Sequence, residues 1–110
     1  MEISISQQAK AIVVAVKGRM DAASAPTFDS TLADHIAAGA SRVVLDCGAL
    51  EYISSAGLRS LLTTAKTLRT RNGELVFAGL KDMVREVFEI SGFAAMFSIY
   101  DSIDAALERW

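Results

Sequence analysis

Residues 42–46 read Arg-Val-Val-Leu-Asp, a short run whose three middle positions are all apolar. Side chains alternate across a strand, so a continuous apolar run points hydrophobic groups to both sides at once. Such a run suits a central strand buried on both faces. It is followed, after Cys47–Ile53, by a long apolar-striped segment at helical spacing. Leu58, Leu61, Leu62, Ala65 and Leu68 share one face of a helix expected from about Ser55 to Arg71. Asn72-Gly73 ends it, and Lys66, Arg69 and Arg71 complement its C-terminal dipole.

The rest of the chain repeats this alternation. Residues 2–7 alternate polar and apolar, and residues 11–17 form a second apolar-rich run, so a short connection predicts an antiparallel hairpin. Gly18-Arg19-Met20-Asp21 is expected to break the second strand and lead into a helix. Ser24 is the expected N-cap there, Pro26 suits the first turn, and Phe28, Leu32 and Ile36 form the inward stripe. Gly39 is placed just past that helix. Glu74–Ala78 gives a fourth strand, Leu80–Ile90 a helix, Met96–Tyr100 a short fifth strand, and Asp101-Ser102 opens a last helix. The order is β-β-α-β-α-β-α-β-α. This is an α/β fold: one domain over 1–110, with a mixed four- to five-stranded sheet and about four helices. Right-handed crossovers place the helix starting at Ser55 at the carboxyl end of the third strand.

Composition narrows the function classes. The 110 residues are 52% hydrophobic and 22% charged, with a formal net charge of −2. That balance argues against a nucleic-acid binder, which would carry a basic excess. Cys47 is the only cysteine, so no intrachain disulfide and no cysteine-based zinc site is expected. No stretch has the pattern of a secretory signal or the ~18–20 apolar residues of a membrane span, so the expected compartment is the cytoplasm.

Enzyme signatures are weak. His35 is the single histidine, mid-helix among Asp34, Ile36 and alanines, and is read as a solvated or partly packed residue. No G-x-S-x-G elbow, P-loop or G-x-G-x-x-G stands in the sequence. Cys47 lies beside a buried strand with no nearby base and is read as a small packed hydrophobe. Asp46 closes the central strand, but the carboxylate cluster needed to hold Mg²⁺ is missing, so it is read as a loop-ordering acceptor. That leaves Ser54 and Ser55. Either can cap the following helix, a contribution of about 1 kcal/mol. Alternatively, a serine here can carry a phosphoryl group, because a helix N-terminus tolerates added negative charge.

The stretch Leu50-Glu51-Tyr52-Ile53-Ser54-Ser55-Ala56-Gly57-Leu58-Arg59 carries a resemblance, with Gly18-Arg19-Met20-Asp21, Asn72-Gly73-Glu74-Leu75 and Ile90-Ser91-Gly92-Phe93. With the element order, it resembles the STAS domain, and specifically the single-domain anti-sigma-factor antagonists of bacteria. The resemblance covers nearly the whole chain. It implies that Ser55, two residues before the motif Gly57, is the phosphorylated serine. Ser54 stands where the better-known members have an aspartate, and Ala56 where they have Ser or Thr. Asp21 matches the family's aspartate before the first helix. The resemblance further implies a regulator without catalysis or cofactor of its own. Its unphosphorylated form binds an anti-sigma factor that is also a serine kinase, releasing the sigma factor. Phosphorylation of Ser55 breaks the complex, and a serine phosphatase restores it. The docking face implied is Asp21, Ser54, Ser55, Ala56, Gly57, Leu58 and Arg59, with no direct contact to nucleic acid or membrane. Two alternatives stay open: a constitutive STAS subunit of a larger assembly, such as a lipid-transport complex, or a small phosphotransfer or hydrolytic domain using Asp46 or Ser55.

Overall fold

The computed structural model describes residues 1–110. Its strands are β1 (Glu2–Gln8), β2 (Ala11–Met20), β3 (Arg42–Asp46), β4 (Leu50–Ile53), β5 (Glu74–Ala78) and β6 (Ile99–Tyr100). Its helices are α1 (Ala25–Ala37), α2 (Ser55–Arg69), α3 (Asp82–Ile90), α4 (Phe93–Met96) and α5 (Ile103–Leu107). The α/β alternation expected from the sequence is present, as is the hairpin. β1 pairs antiparallel with β2 from Glu2↔Lys17 to Gln8↔Ala11. Its tight turn sets Ala9 at φ 52°, a left-handed conformation without the Asn-Gly that usually marks one.

The remaining pairs are parallel, and the strand order is β1-β2-β3-β5-β6, with β4 pairing to β2. β3 is central: Val44 lies between Val13 of β2 and Val76 of β5. Val43, Val44 and Leu45 are fully buried, as their apolar run predicts. One face of the sheet carries the larger core. There Val14, Val43, Leu45 and Phe77 meet Phe28 and Leu32 of α1, Leu61 and Leu68 of α2, and Val84 and Phe88 of α3. Phe77, Phe88, Phe93 and Phe97 form a chain of tilted and edge-on ring contacts there. On the other face Ala11, Val13, Val44, Val76 and Ala78 are covered by Ala106 of α5, with Trp110 and Tyr100 around them.

Several boundaries differ from the sequence expectation. β2 does not break at Gly18 but runs on to Met20, because Gly18, at φ 93°, keeps the strand in line while its amide donates to Ala49 O at 3.0 Å. The Cys47–Ile53 segment is not all loop. After a turn at Cys47–Ala49 it becomes β4, parallel to the end of β2, with Gly18↔Leu50 and Met20↔Ile53 in register. α2 starts at Ser55, as expected, but it follows the carboxyl end of β4 and not that of β3. It stops at Arg69, with Asn72 in the left-handed conformation (φ 59°) behind it. Residues 80–81 precede α3 as an extended segment, and 93–96 form the short α4 in place of an early β6. Met20 is fully buried.

Candidate functional site

The site forms where the carboxyl ends of β2 and β4 deliver Asp21 and Ser54 to the same rim. The Ser54 amide donates to Met20 O at 2.9 Å, so the residue before Asp21 is tied directly to the residue before Ser55. Ser54 is extended (φ −95°, ψ 176°), and its Oγ accepts from the Gly57 amide at 3.3 Å. It is the N-cap of α2. Leu58 N–H donates to Ser54 O at 2.9 Å, closing the first helical turn. Ser55 is the first residue of the helix, exposed, with its hydroxyl in no hydrogen bond inside the chain. The two serines thus divide the work: one orders the backbone, the other faces solvent.

Gly57 makes this approach possible. A Cβ at this position would lie 2.7 Å from both Met20 O and Ile53 Cγ1, so only a glycine lets α2 sit this close to the strand ends. Ala56 and Leu58 are half-buried, Leu58 packing against the main core, while Arg59 is exposed. Of the seven residues that the resemblance implicates, Ser55 and Arg59 offer whole side chains to a partner. Gly57 and Leu58 contribute shape.

Asp21 is held by its own loop. Its carboxylate accepts from the Ala23 and Ser24 amides at 3.1 and 3.2 Å and from the Ser24 hydroxyl at 3.2 Å. Ser24 Oγ in turn accepts from the Asp21 amide at 2.9 Å and shares its single proton between the Asp21 carboxylate and Arg19 O, 3.0 Å away. Ser24 occupies the expected N-cap position of α1 but makes no side-chain cap bond; the carboxylate of Asp21 satisfies the amides at the turn before the helix. The Ser24 amide, then the Ser24 hydroxyl, the Ala23 amide and Arg19, draw the Asp21 pKa below the ordinary carboxylate value. Arg19 completes the rim, 3.8 Å from Asp21 Oδ2 and 4.1 Å above the centre of the Tyr52 ring. The sequence reading placed neither Arg19 nor Tyr52 in the site. Their signal was the pairing of β4 with β2, which sets them at matching positions (Arg19↔Tyr52).

The other candidates lie apart from this rim. Asp46 Oδ1 accepts from the Gly48 amide at 3.0 Å, the loop-ordering role expected of it. Cys47 is fully buried, and burial, then the Asp46 charge, pushes its thiol pKa up, which keeps it protonated and unreactive. His35 is half-buried, with Nδ1 3.0 Å from Thr31 O. Its neighbour Ile36 accepts through its carbonyl from Arg71, beyond the far end of α2. At 1.5 Å per residue, that end is about 20 Å from Ser55, too far for a serine–histidine pair. No group of three or more His, Cys, Asp or Glu residues is placed to hold a metal ion, and no helix is long and apolar enough to cross a membrane.

Comparison with known proteins identifies the family to which this fold belongs. The family model described as the STAS domain matches residues 2–106. The chain belongs to the STAS domain family. BtrV of Bordetella bronchiseptica, named as a candidate anti-sigma factor antagonist, is 44% identical over 106 residues, covering 96% of this chain and 91% of BtrV. A candidate anti-sigma factor antagonist of Thermotoga maritima, solved by crystallography, superposes with a TM-score of 0.92 at 18% identity, over 97% of this chain and 92% of that one. SpoIIAA of Bacillus in its phosphorylated form superposes with a TM-score of 0.78 at 17% identity, over 98% of each chain. At these identities the two structures establish the fold of the STAS family member described here.

Proposed function

We propose that this STAS protein is an anti-sigma factor antagonist working by partner switching. Its unphosphorylated form binds an anti-sigma factor that is also a serine kinase, and the sigma factor is released. The kinase transfers the γ-phosphoryl group of ATP to Ser55 Oγ, giving ADP and releasing the hydroxyl proton, and the phosphoprotein dissociates. A serine phosphatase hydrolyses the phosphoester and restores binding. The chain is a ligand and a substrate in this cycle, with no catalysis or cofactor of its own, in the cytoplasm where its sigma factor works.

The observation that carries this reading is the division of labour between the serines. Ser54 caps α2 and leaves the Ser55 hydroxyl exposed at the head of the helix. A phosphate there meets free amides and the positive end of the helix dipole, so it can be carried without unfolding the chain. The kinship with BtrV supports the partner class.

The test has two parts. Peptide mapping of protein from its native cells should find a fraction phosphorylated on Ser55. Calorimetry with the cognate anti-sigma factor should give Ser55→Ala near wild-type affinity and Ser55→Asp at least about tenfold weaker, the size expected for a like charge or an unpaired carboxylate in a contact. Equal affinity for Ser55→Asp and wild type would remove the charge switch. Stable co-purification with membrane components, without phosphoserine in any growth state, would favour a constitutive subunit instead.

A further inference from the structure

Arg59 stands four residues after Ser55 on α2, and both residues are exposed. Residues at this spacing lie one turn apart on the same helical face, with Cβ atoms about 5–6 Å apart. Helical side chains lean toward the N-terminus, so position 59 is one from which an arginine can reach back to Ser55. Its guanidinium has no competing partner: the three ion pairs and two cation–π contacts of the chain all involve other residues. The first turn of α2 contains no acidic residue. At the rim Arg19 and Asp21 pair with each other, and the exposed Glu51 of β4 lines a surface hollow with Lys17, Lys81 and Asp82. On the neighbouring α1, Asp29 lies beside Thr63, one turn further along α2 than Arg59.

We infer that Arg59 is the intramolecular partner of a phosphate on Ser55, a clamp that withdraws this cation from the docking face when the protein is phosphorylated. The inference rests on the proposed phosphorylation of Ser55. A planar guanidinium can donate two parallel hydrogen bonds to a phosphate, and an anion placed four residues before a cation is the favourable order along a helix. Without phosphate, Arg59 is free to meet a carboxylate on the partner. With phosphate, it is engaged inside the chain. The modification then acts on the docking face twice, by adding a dianion and by removing a cation.

Phosphoserine incorporated genetically at position 55 of the full chain makes the test independent of any kinase. Phosphorus NMR then follows its second ionisation, which lies ordinarily near pH ~6. The expected result is a pKa about half a pH unit higher in Arg59→Ala than in the otherwise unchanged phosphoprotein. The difference should shrink in roughly 1 M salt. The Arg59 Nε–H signal should move on phosphorylation and stay put when Ser55 is unmodified. Identical titrations with and without Arg59 would overturn the clamp. So would a shifted titration with an unmoved Nε–H signal, which would reduce Arg59 to a distant charge. Absence of phosphate on Ser55 in cells would instead sink the switch while leaving the titration result intact.

Discussion

Gly57 is held to glycine by space, not by backbone conformation. Its φ is helical, and alanine would normally be the better helix former by about 1 kcal/mol. Here a single Cβ would press within 2.7 Å of a strand carbonyl and of Ile53. Overpacking of this kind costs about 1–3 kcal/mol, and the carbonyl cannot rotate away as a side chain would. Gly57→Ala is therefore expected to lower stability by about 1–2 kcal/mol in urea unfolding, with a weaker gain in helicity unable to offset it. The motif glycine was legible in the sequence; its physical reason was not, because the groups it faces belong to β2 and β4. Asp21 carries a prediction of the same scale. Its folded pKa is lowered, chiefly by the Ser24 amide, so its carboxylate stabilises the fold above the unfolded value near ~4. That contribution disappears as pH falls through the lowered folded value. In chemical denaturation below pH ~4, Asp21→Ala should lose less stability on acidification than wild type, while at pH ~7 it is the less stable of the two.

At the level of elements, the strands with strong apolar runs were readable and β4 was not. Val43-Val44-Leu45 has no polar alternative to a buried strand. Leu50–Ile53 has only Leu50 and Ile53 buried, with a register shift against β2 between Gly18 and Arg19. A bulged strand loses the strict alternation by which strands are recognised. The same reasoning explains α4, four residues too short to show a helical period. α5 offers a sharper contrast, since it alone covers the second face of the sheet. Ala106 is fully buried there against Val13, Val44 and Val76. Three residues later Arg109 donates to Glu74 and to Tyr100 Oη (2.9 Å), but both members of the ion pair remain about one-third exposed. An unpaired buried charge costs at least about 3 kcal/mol, whereas a solvated ion pair contributes up to about 1 kcal/mol. Ala106→Asp should therefore unfold or severely destabilise the protein in thermal melts, and Arg109→Ala should shift the midpoint only slightly.

The whole molecule keeps its stability and its proposed switch in different places. The cores lie above and below the middle of the sheet, while Ser55 sits on the rim, where the chain leaves β4 and where no core side chain depends on its hydroxyl. A charge added there changes what can dock much more than what holds the fold. Ser54 sets the opposite case: its Oγ caps the helix but is not the proposed acceptor. Two substitutions one residue apart should consequently separate the two properties. Ser54→Ala removes a cap and is expected to cost about 1 kcal/mol of stability, with partner affinity falling only as the helix start loosens. Ser55→Asp places an acid in the first turn, where the dipole favours it, so stability should stay within about 0.5 kcal/mol of wild type or rise. Its partner affinity should nevertheless drop. Unfolding midpoints and calorimetric affinities measured on both variants would decide the matter. If Ser55→Asp lost binding and stability together, the charge would be acting through the fold, and the proposed switch at the rim would not be autonomous.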